Sequence, residues 1–273
     1  MCSLPLFKRV IGFGNITKMV IFAIECFELT NINKPMIMTE RDFADKVKRK
    51  IAGWYDKEEH KKKAIDRIVR QREVIISLLE KVRLCDITKL LEYLDRSGFY
   101  YRPSSLNGHH NFPGGLAEHS LGVYYIMKEW NALTPNERRK SILYRKHIEG
   151  ESVACDILNE KMDDDEMLIT AICHDLCKAE RFYLNGRRIK MHSSEVSSHH
   201  SKLSVKRLKE NNIYNPEINQ AVRAHMRLFP HKQDAKLTPW QIESRKSILA
   251  IAVWAADKLD ASRHPAGRRH RDS

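Results

Sequence analysis

The pair His174-Asp175 closes one of the most apolar runs of the chain, MLITAICHD. A carboxylate in such surroundings is costly unless it is paired or bound to a metal. Taken alone, the pair is accounted for by a helix C-terminus just reaching water, with His174 satisfied by a backbone carbonyl. Two further runs bring partners. In FPGGLAEHSLGVYYIM, Leu116 and Val123 lie three residues before and four after His119, so helical spacing puts all three on one face. In SILAIAVWAADKLDA, Asp257 comes near the end of a third apolar run, with Trp254 about one turn before it. Three largely apolar helices thus each deliver a metal-capable side chain to an interior. Imidazole nitrogens with carboxylate oxygens suit Zn, Mn, Fe or Ni and need no thiolate. Burying all of these groups together implies one shared partner, a cation.

The order His119, then His174-Asp175, then Asp257 resembles that of the metal-dependent HD phosphohydrolase superfamily. The surrounding phrases match as well: HHNFPGGLAEHS, HDLCK and AADKLDA, within a similarity spanning roughly residues 105 to 262. The resemblance implies an all-α helical bundle. It also implies His119, His174, Asp175 and Asp257 as ligands of a divalent metal ion, with Mn, Fe, Mg, Ni and Zn as the candidates. HD enzymes with two metals add histidines between the pair and the last aspartate. Here HSKLSVKRL, opening at His200, and AVRAHMRLF, carrying His225, resemble those phrases, and Asp175 would then bridge the two ions. On the competing reading His192, His199 and His200 are solvated at a helix start and His225 is an ordinary helix-surface residue.

Three departures from the family pattern matter. Gly115 stands where some dinuclear relatives carry a glutamate, four residues before the first histidine. LFPHKQD follows His225 in place of the GYP extension of cyclic-di-GMP enzymes, which argues against that substrate. Cys177 replaces the usual glycine of the HDLCK phrase and removes no ligand.

A metal site of this kind lowers the pKa of a bound water from near 16 toward ~7 and so supplies a nucleophile at neutral pH. The resemblance makes Asp175 and Lys178 the catalytic pair, with the Lys178 ammonium on a phosphate oxygen as a point charge. A lysine favourable to a helix C-terminus is the simpler account of the same residue. Ligand histidines usually donate their second ring N–H to a carboxylate or carbonyl, and Asp260 and Glu118 are the candidates for that role.

These side chains need helices to hold them. Hydrophobic periodicity predicts helices over 40–54, 56–82, 86–97, 115–131, 135–147, 149–160, 163–178, 195–211, 215–227 and 242–262, with Thr39 as an N-cap. There is no internal repeat and no βα alternation. The single strand signal is RFYLNGRRIKM, where Asn185-Gly186 predicts a type I′ hairpin near the metal site. Its Arg181, Arg187, Arg188 and Lys190 would either grip an anionic substrate or simply solvate an exposed ribbon.

With 273 residues, 42% of them hydrophobic, the chain can bury one full core. The expected organisation is an N-terminal extension over 1–38, N-terminal helices over 39–100, the hydrolase domain over 101–262 and a basic disordered tail over 263–273. The net charge of +13 favours a phosphorylated small molecule, a nucleotide or nucleic acid as partner. Neither KEEHKKKAIDRIVRQRE nor RHPAGRRHRDS interleaves aromatic residues for base stacking, which weakens the case for single-strand binding. The segment MVIFAIECF is too short to span a bilayer and contains Glu25, so no stable membrane association is expected, a short interfacial anchor being the alternative. Cys2, Cys26, Cys85, Cys155, Cys173 and Cys177 are scattered without a CxxC pair, as in a reducing, cytoplasmic compartment.

The function expected from the resemblance is hydrolysis of a phosphoester or nucleotide phosphate. A 3′→5′ exoribonuclease of the same superfamily is the nearest alternative, although no accessory nucleic-acid-binding β-domain is visible. A non-catalytic module binding nucleotide or nucleic acid is the alternative of a different class, and an intact ligand set argues against it. Oxygenase chemistry, known for a few di-iron HD relatives, ranks below both.

Overall fold

The computed structural model describes residues 35–151, 153–192, 200–229 and 237–264. Nearly all of the expected N-terminal extension, most of the basic tail, Cys2, Cys26 and His199 fall outside the described residues. From Ile37 onward the chain forms one compact unit.

Thr39 opens α1 (Glu40–Lys50), its hydroxyl accepting from the Asp42 amide at 3.2 Å, with acidic residues in the first turn and basic residues in the last. That charge order suits the helix dipole. α2 (Glu58–Leu79) buries Ala64, Ile68, Arg72, Ile75 and Leu79 along one stripe, and α3 (Thr88–Ser97) buries Leu90, Leu91 and Leu94. The buried Arg72 is balanced by Asp95, Nε to Oδ1 at 2.7 Å, and both also bond the backbone of Met38. The buried stripe of α2 therefore carries one ion pair into the same core.

α4 (Gly115–Ala132), α6 (Asp164–Cys173) and α11 (Ile248–Arg263) form the centre. α4 packs on both of the others, and α9 (Pro216–Ala224) packs on α6, α11 and α8 (His200–Glu210). The seven residues Met167–Cys173 of α6 and the nine residues Ile248–Ala256 of α11 are buried on every side. Apolar residues all round mark helices enclosed by others rather than one-faced surface helices. α1 lies on α2, which reaches this centre through α4 and α6.

Several helices are shorter than the periodicity predicts, and in each case a polar side chain takes over the backbone bond. The predicted 135–147 helix ends as α5 (Pro135–Lys140). There the Ser141 hydroxyl donates to Arg138 O at 2.6 Å and accepts from the Tyr144 amide at 3.2 Å, a local competition that breaks helices. A π turn (Tyr144–Ile148) takes up the end of that stretch, and a 3₁₀ turn (Cys155–Asn159) stands in place of the predicted 149–160 helix. The fully buried Arg138 guanidinium ties the carbonyls of Trp130, Asn131, Leu158 and Glu160 together there. The predicted 163–178 helix splits at His174 into α6 and the single turn α7 (Lys178–Arg181). The predicted 242–262 helix becomes α10 (Pro239–Ser244) and α11, the latter N-capped by Ser247.

The hairpin is present, as β1 (Phe182–Asn185) and β2 (Arg188–Met191). Its register corrects the sequence expectation by one residue. Asn185 pairs with Arg188, so Gly186 and Arg187 are the central turn residues, and of these only Gly186 has a positive φ, +57°. Positive φ at the first central position alone, on glycine, belongs to a type II′ turn rather than I′. The tip is tied to the α1–α2 connection by an ion pair of Arg187 with Asp56, while Arg188 and Lys190 are exposed. Among the described residues, then, the protein is an all-α helical bundle with one small hairpin. No described helix is long and apolar enough to cross a membrane.

Candidate metal centre

Five helices, α4, α6, α8, α9 and α11, bring all six sequence-predicted ligands together. His119 comes from the second turn of α4, His174 is the C-terminal cap of α6, and Asp175 follows in the α6–α7 turn. His200 opens α8, His225 caps the C-terminus of α9, and Asp257 lies in α11. His119, His174, Asp175 and His225 are buried, and the His200 and Asp257 side chains keep only 15% and 14% of their exposure.

Asp175 faces both ways. Its Oδ2 lies 3.7 Å from His119 Nε2 and 3.4 Å from His174 Nε2. Its Oδ1 lies 3.6 Å from His200 Nε2 and 3.6 Å from His225 Nε2. Asp257 Oδ1 joins the first group at 3.1 Å from His119 Nε2, which is also 3.1 Å from His174 Nε2. The second group is the telling one. Asp175 Oδ1, His200 Nε2 and His225 Nε2 are all enclosed and make no hydrogen bond, an arrangement that costs about 1–3 kcal/mol per group if nothing fills it. Donors bound to one cation at about 2.1 Å stand about 3.0–3.6 Å apart. The 3.6 Å spacing of this second group is too long for hydrogen bonds and right for a shared ion, so these residues, like the His119 group, are of a type and spacing that could hold a divalent cation.

The orienting contacts follow one device. At the ends of α6 and α9 the final carbonyls lack helical partners. His174 Nδ1 meets Ala171 O at 2.8 Å and His225 Nδ1 meets Val222 O at 2.7 Å, each three residues back. With Nδ1–H donated there, each ring turns a bare Nε2 to the site. His119 is fixed differently, by Asp260 Oδ2 at 2.7 Å from Nδ1. Of the two carboxylates expected behind the ligands, Asp260 holds His119, whereas Glu118 turns outward to Gln71 and Arg67.

Two glycines make this possible. A Cβ on Gly122 would stand 2.1 Å from Asp260 Oδ1, so only glycine lets α11 bring that carboxylate against α4. A Cβ on Gly115 would stand 2.0 Å from His110 O. The glutamate of some dinuclear relatives therefore has no room at this position.

Electrostatics divide the histidines. Burial pushes His200 down to about 4, so it is neutral and its lone pair is available at pH 7. Burial also opposes a charged His119, but hydrogen bonds to Asp257 and Asp260 outweigh it and raise the group to about 9 in the metal-free protein. Burial alone would raise Asp175. The adjacent Lys178 ammonium instead holds it well below the usual carboxylate range. Lys178 Nζ lies 2.5 Å from Asp175 Oδ2, so in this structure it neutralises that carboxylate. Cys177, in the place of the family's glycine, is buried, and its thiol donates to His200 O at 3.2 Å. Burial first of all pushes that thiol up to about 11, which keeps its proton on and the donor intact.

Sequence reasoning passed over His109 and His110, which appeared only inside the HHNFPGG phrase. His110 takes a left-handed backbone, φ 49°, and its Nε2 lies 2.9 Å from the same Asp260 Oδ2 that holds His119. His109 lies with its ring centroid 4.6 Å from that of His119. Two adjacent histidines in a Gly/Pro loop just ahead of a ligand helix were the available signal.

Beside His200 a groove of about 250 Å³ is lined by Lys202, Arg223, Met226, Arg227 and Trp240. The Arg223 guanidinium lies 4.9 Å from the centre of the Trp240 ring. The groove thus combines cations with an aromatic face and opens on a candidate ligand.

The family model of the HD domain matches residues 116–262, more than half of the chain. No curated protein and no solved structure gave a match.

Proposed function

The chain belongs to the HD-domain family of metal-dependent hydrolases, and on that premise we propose that it hydrolyses a phosphoester or nucleotide phosphate at a dinuclear metal centre. The observation that carries this reading is Asp175, whose two oxygens each face a separate pair of histidine nitrogens. His119, His174, Asp175 and Asp257 would hold one divalent cation, and Asp175, His200 and His225 the other. Bound there, such cations supply a water of lowered pKa and offset charge on phosphoryl oxygens.

The chain's own residues do the rest. The Ala171 and Val222 carbonyls keep the protons of His174 and His225 on Nδ1 and leave Nε2 free to bind. Asp260 orients His119 and raises its basicity through Nδ1. Cys177 steadies the backbone at His200. Lys178 brings a cation to the same carboxylate and, beside a phosphate, supplies a point charge for a non-bridging oxygen. Lys202, Arg223 and Arg227, with the Trp240 ring, suit an anionic substrate carrying a flat base. That lining favours a nucleotide among phosphorylated compounds.

The test is metal content by elemental analysis with a screen of Mn-dependent hydrolysis over nucleotides, cyclic nucleotides and short RNA. Near two ions per chain with turnover of one substrate class is the expected result. The Asp175→Ala variant should lose both ions and turnover while keeping its helical circular dichroism. Wild-type-like turnover in that variant would overturn the assignment, and no metal and no turnover in the native chain would leave only a binding module.

A further inference from the structure

We propose that His109 is a seventh protein ligand of the metal centre, binding the ion on the His119 side together with Asp257. The inference rests on the dinuclear reading and adds a residue to it. His109 Nε2 is enclosed and has no hydrogen-bond partner. A ring nitrogen of His109, one of His119 and a carboxylate oxygen of Asp257 all lie within 4.8 Å of one another. A second such set joins His119 to His174 and Asp175. His119 is common to both, so donors approach it from two sides, the His109 loop with α11 and the end of α6.

A ring that merely packed against His119 would keep its polar atoms in water or on a partner. This one turns a nitrogen into the donor cluster. Its backbone is built to stay there. The His109 carbonyl accepts from Ser104 Oγ at 2.8 Å and from Ser105 Oγ at 2.7 Å, and the Ser104 amide donates to His110 O at 3.1 Å. The next residue is clamped through His110 Nε2 to Asp260, and Gly115 leaves room for the loop to approach α4. A loop fixed at four points in front of a metal site is a means of presenting a side chain.

With His109 the two sides become unequal. The two sets share only His119, and closing on one ion they would give it three imidazoles and two carboxylates, while the second ion has two imidazoles and the shared Asp175. More nitrogen donors favour borderline ions such as Co and Zn. The first ion is therefore retained when the second exchanges.

The test is Co(II) titration of the full chain and of His109→Ala, followed by visible absorption and by chelator competition. The variant should bind its first equivalent at least about tenfold more weakly, as losses around metal sites do. The spectrum of that equivalent should change, and added imidazole should restore both. In parallel, X-ray absorption of the native chain loaded with one Co(II) should count three imidazoles, a measurement that needs no variant. Two imidazoles, or an unchanged spectrum and affinity in His109→Ala, would overturn the His109 assignment and leave the dinuclear reading standing. Failure of the native chain to bind Co(II) at all would overturn both.

Discussion

Gly122→Ala is the substitution that tests the logic of the site most sharply, because helix chemistry and metal chemistry predict opposite signs. Within a helix, alanine in place of glycine is normally stabilising by about 1 kcal/mol. Here the new Cβ would meet Asp260 Oδ1 at 2.1 Å and Asp260 Cγ at 2.9 Å. Rotating the carboxylate is not enough, since its carbon is also too close, and the group must retreat by about 1 Å to reach ordinary van der Waals contact. The same retreat stretches the 2.7 Å contact from Asp260 Oδ2 to His119 Nδ1 beyond hydrogen-bond range. It also loosens the 2.9 Å contact to His110. Losing the carboxylate behind a ligand histidine weakens metal binding by about 10- to 100-fold, or about 1.4–2.7 kcal/mol. The assay is chelator competition for the first metal equivalent, with melting of the metal-free protein as the control for fold. Asp260→Ala should give the same loss, and the double variant should add little to either, as expected for one shared interaction. Native-like affinity in Gly122→Ala would refute the claim that Asp260 acts through His119.

Removing either histidine of the second group, His200→Ala or His225→Ala, should leave about one ion per chain by elemental analysis, and unchanged stoichiometry would point to a single-metal site. Arg72→Met should destabilise the fold by about 3–5 kcal/mol in denaturant titration, because it strands the buried Asp95 carboxylate. A loss below about 1 kcal/mol would show that Asp95 finds another partner. Metal affinity should rise with pH by about tenfold per unit up to about 9, because binding must displace the proton that Asp257 and Asp260 keep on His119. The same raised group stabilises the metal-free fold fully below its ordinary 6.5, and the contribution disappears as pH rises from there through about 9. The depressed Asp175, Asp257 and Asp260 act at the other end, stabilising above the ordinary carboxylate range and failing on acidification below it. A flat profile of affinity between pH 6 and 9 would contradict a protonated His119.

The sequence by itself determined the helical class, the order of the candidate ligands and the helix faces that carry them, because apolar periodicity is local and each ligand sits inside its own phrase. His119 on the inner face of α4 and Asp257 late in α11 were both legible in this way. Helix ends were not, because they depend on which polar side chain captures a carbonyl. Ser141 ends α5, and His174 turns back on Ala171 at the end of α6. The hairpin was legible as a pair of strands, but its turn was displaced by one residue, since Asn-Gly and Gly-Arg both offer a glycine and only the pairing register chooses. Tertiary structure alone decided that Asp260 rather than Glu118 supports His119, because that choice depends on how closely α11 crosses α4 at Gly122. It alone placed the His109 nitrogen among the donors and set Cys177 under the His200 carbonyl. Spacing along a chain fixes which face of a helix a residue occupies. The distance between faces of different helices is set by packing, and at a metal site a difference of about 1 Å is the difference between a ligand and a neighbour.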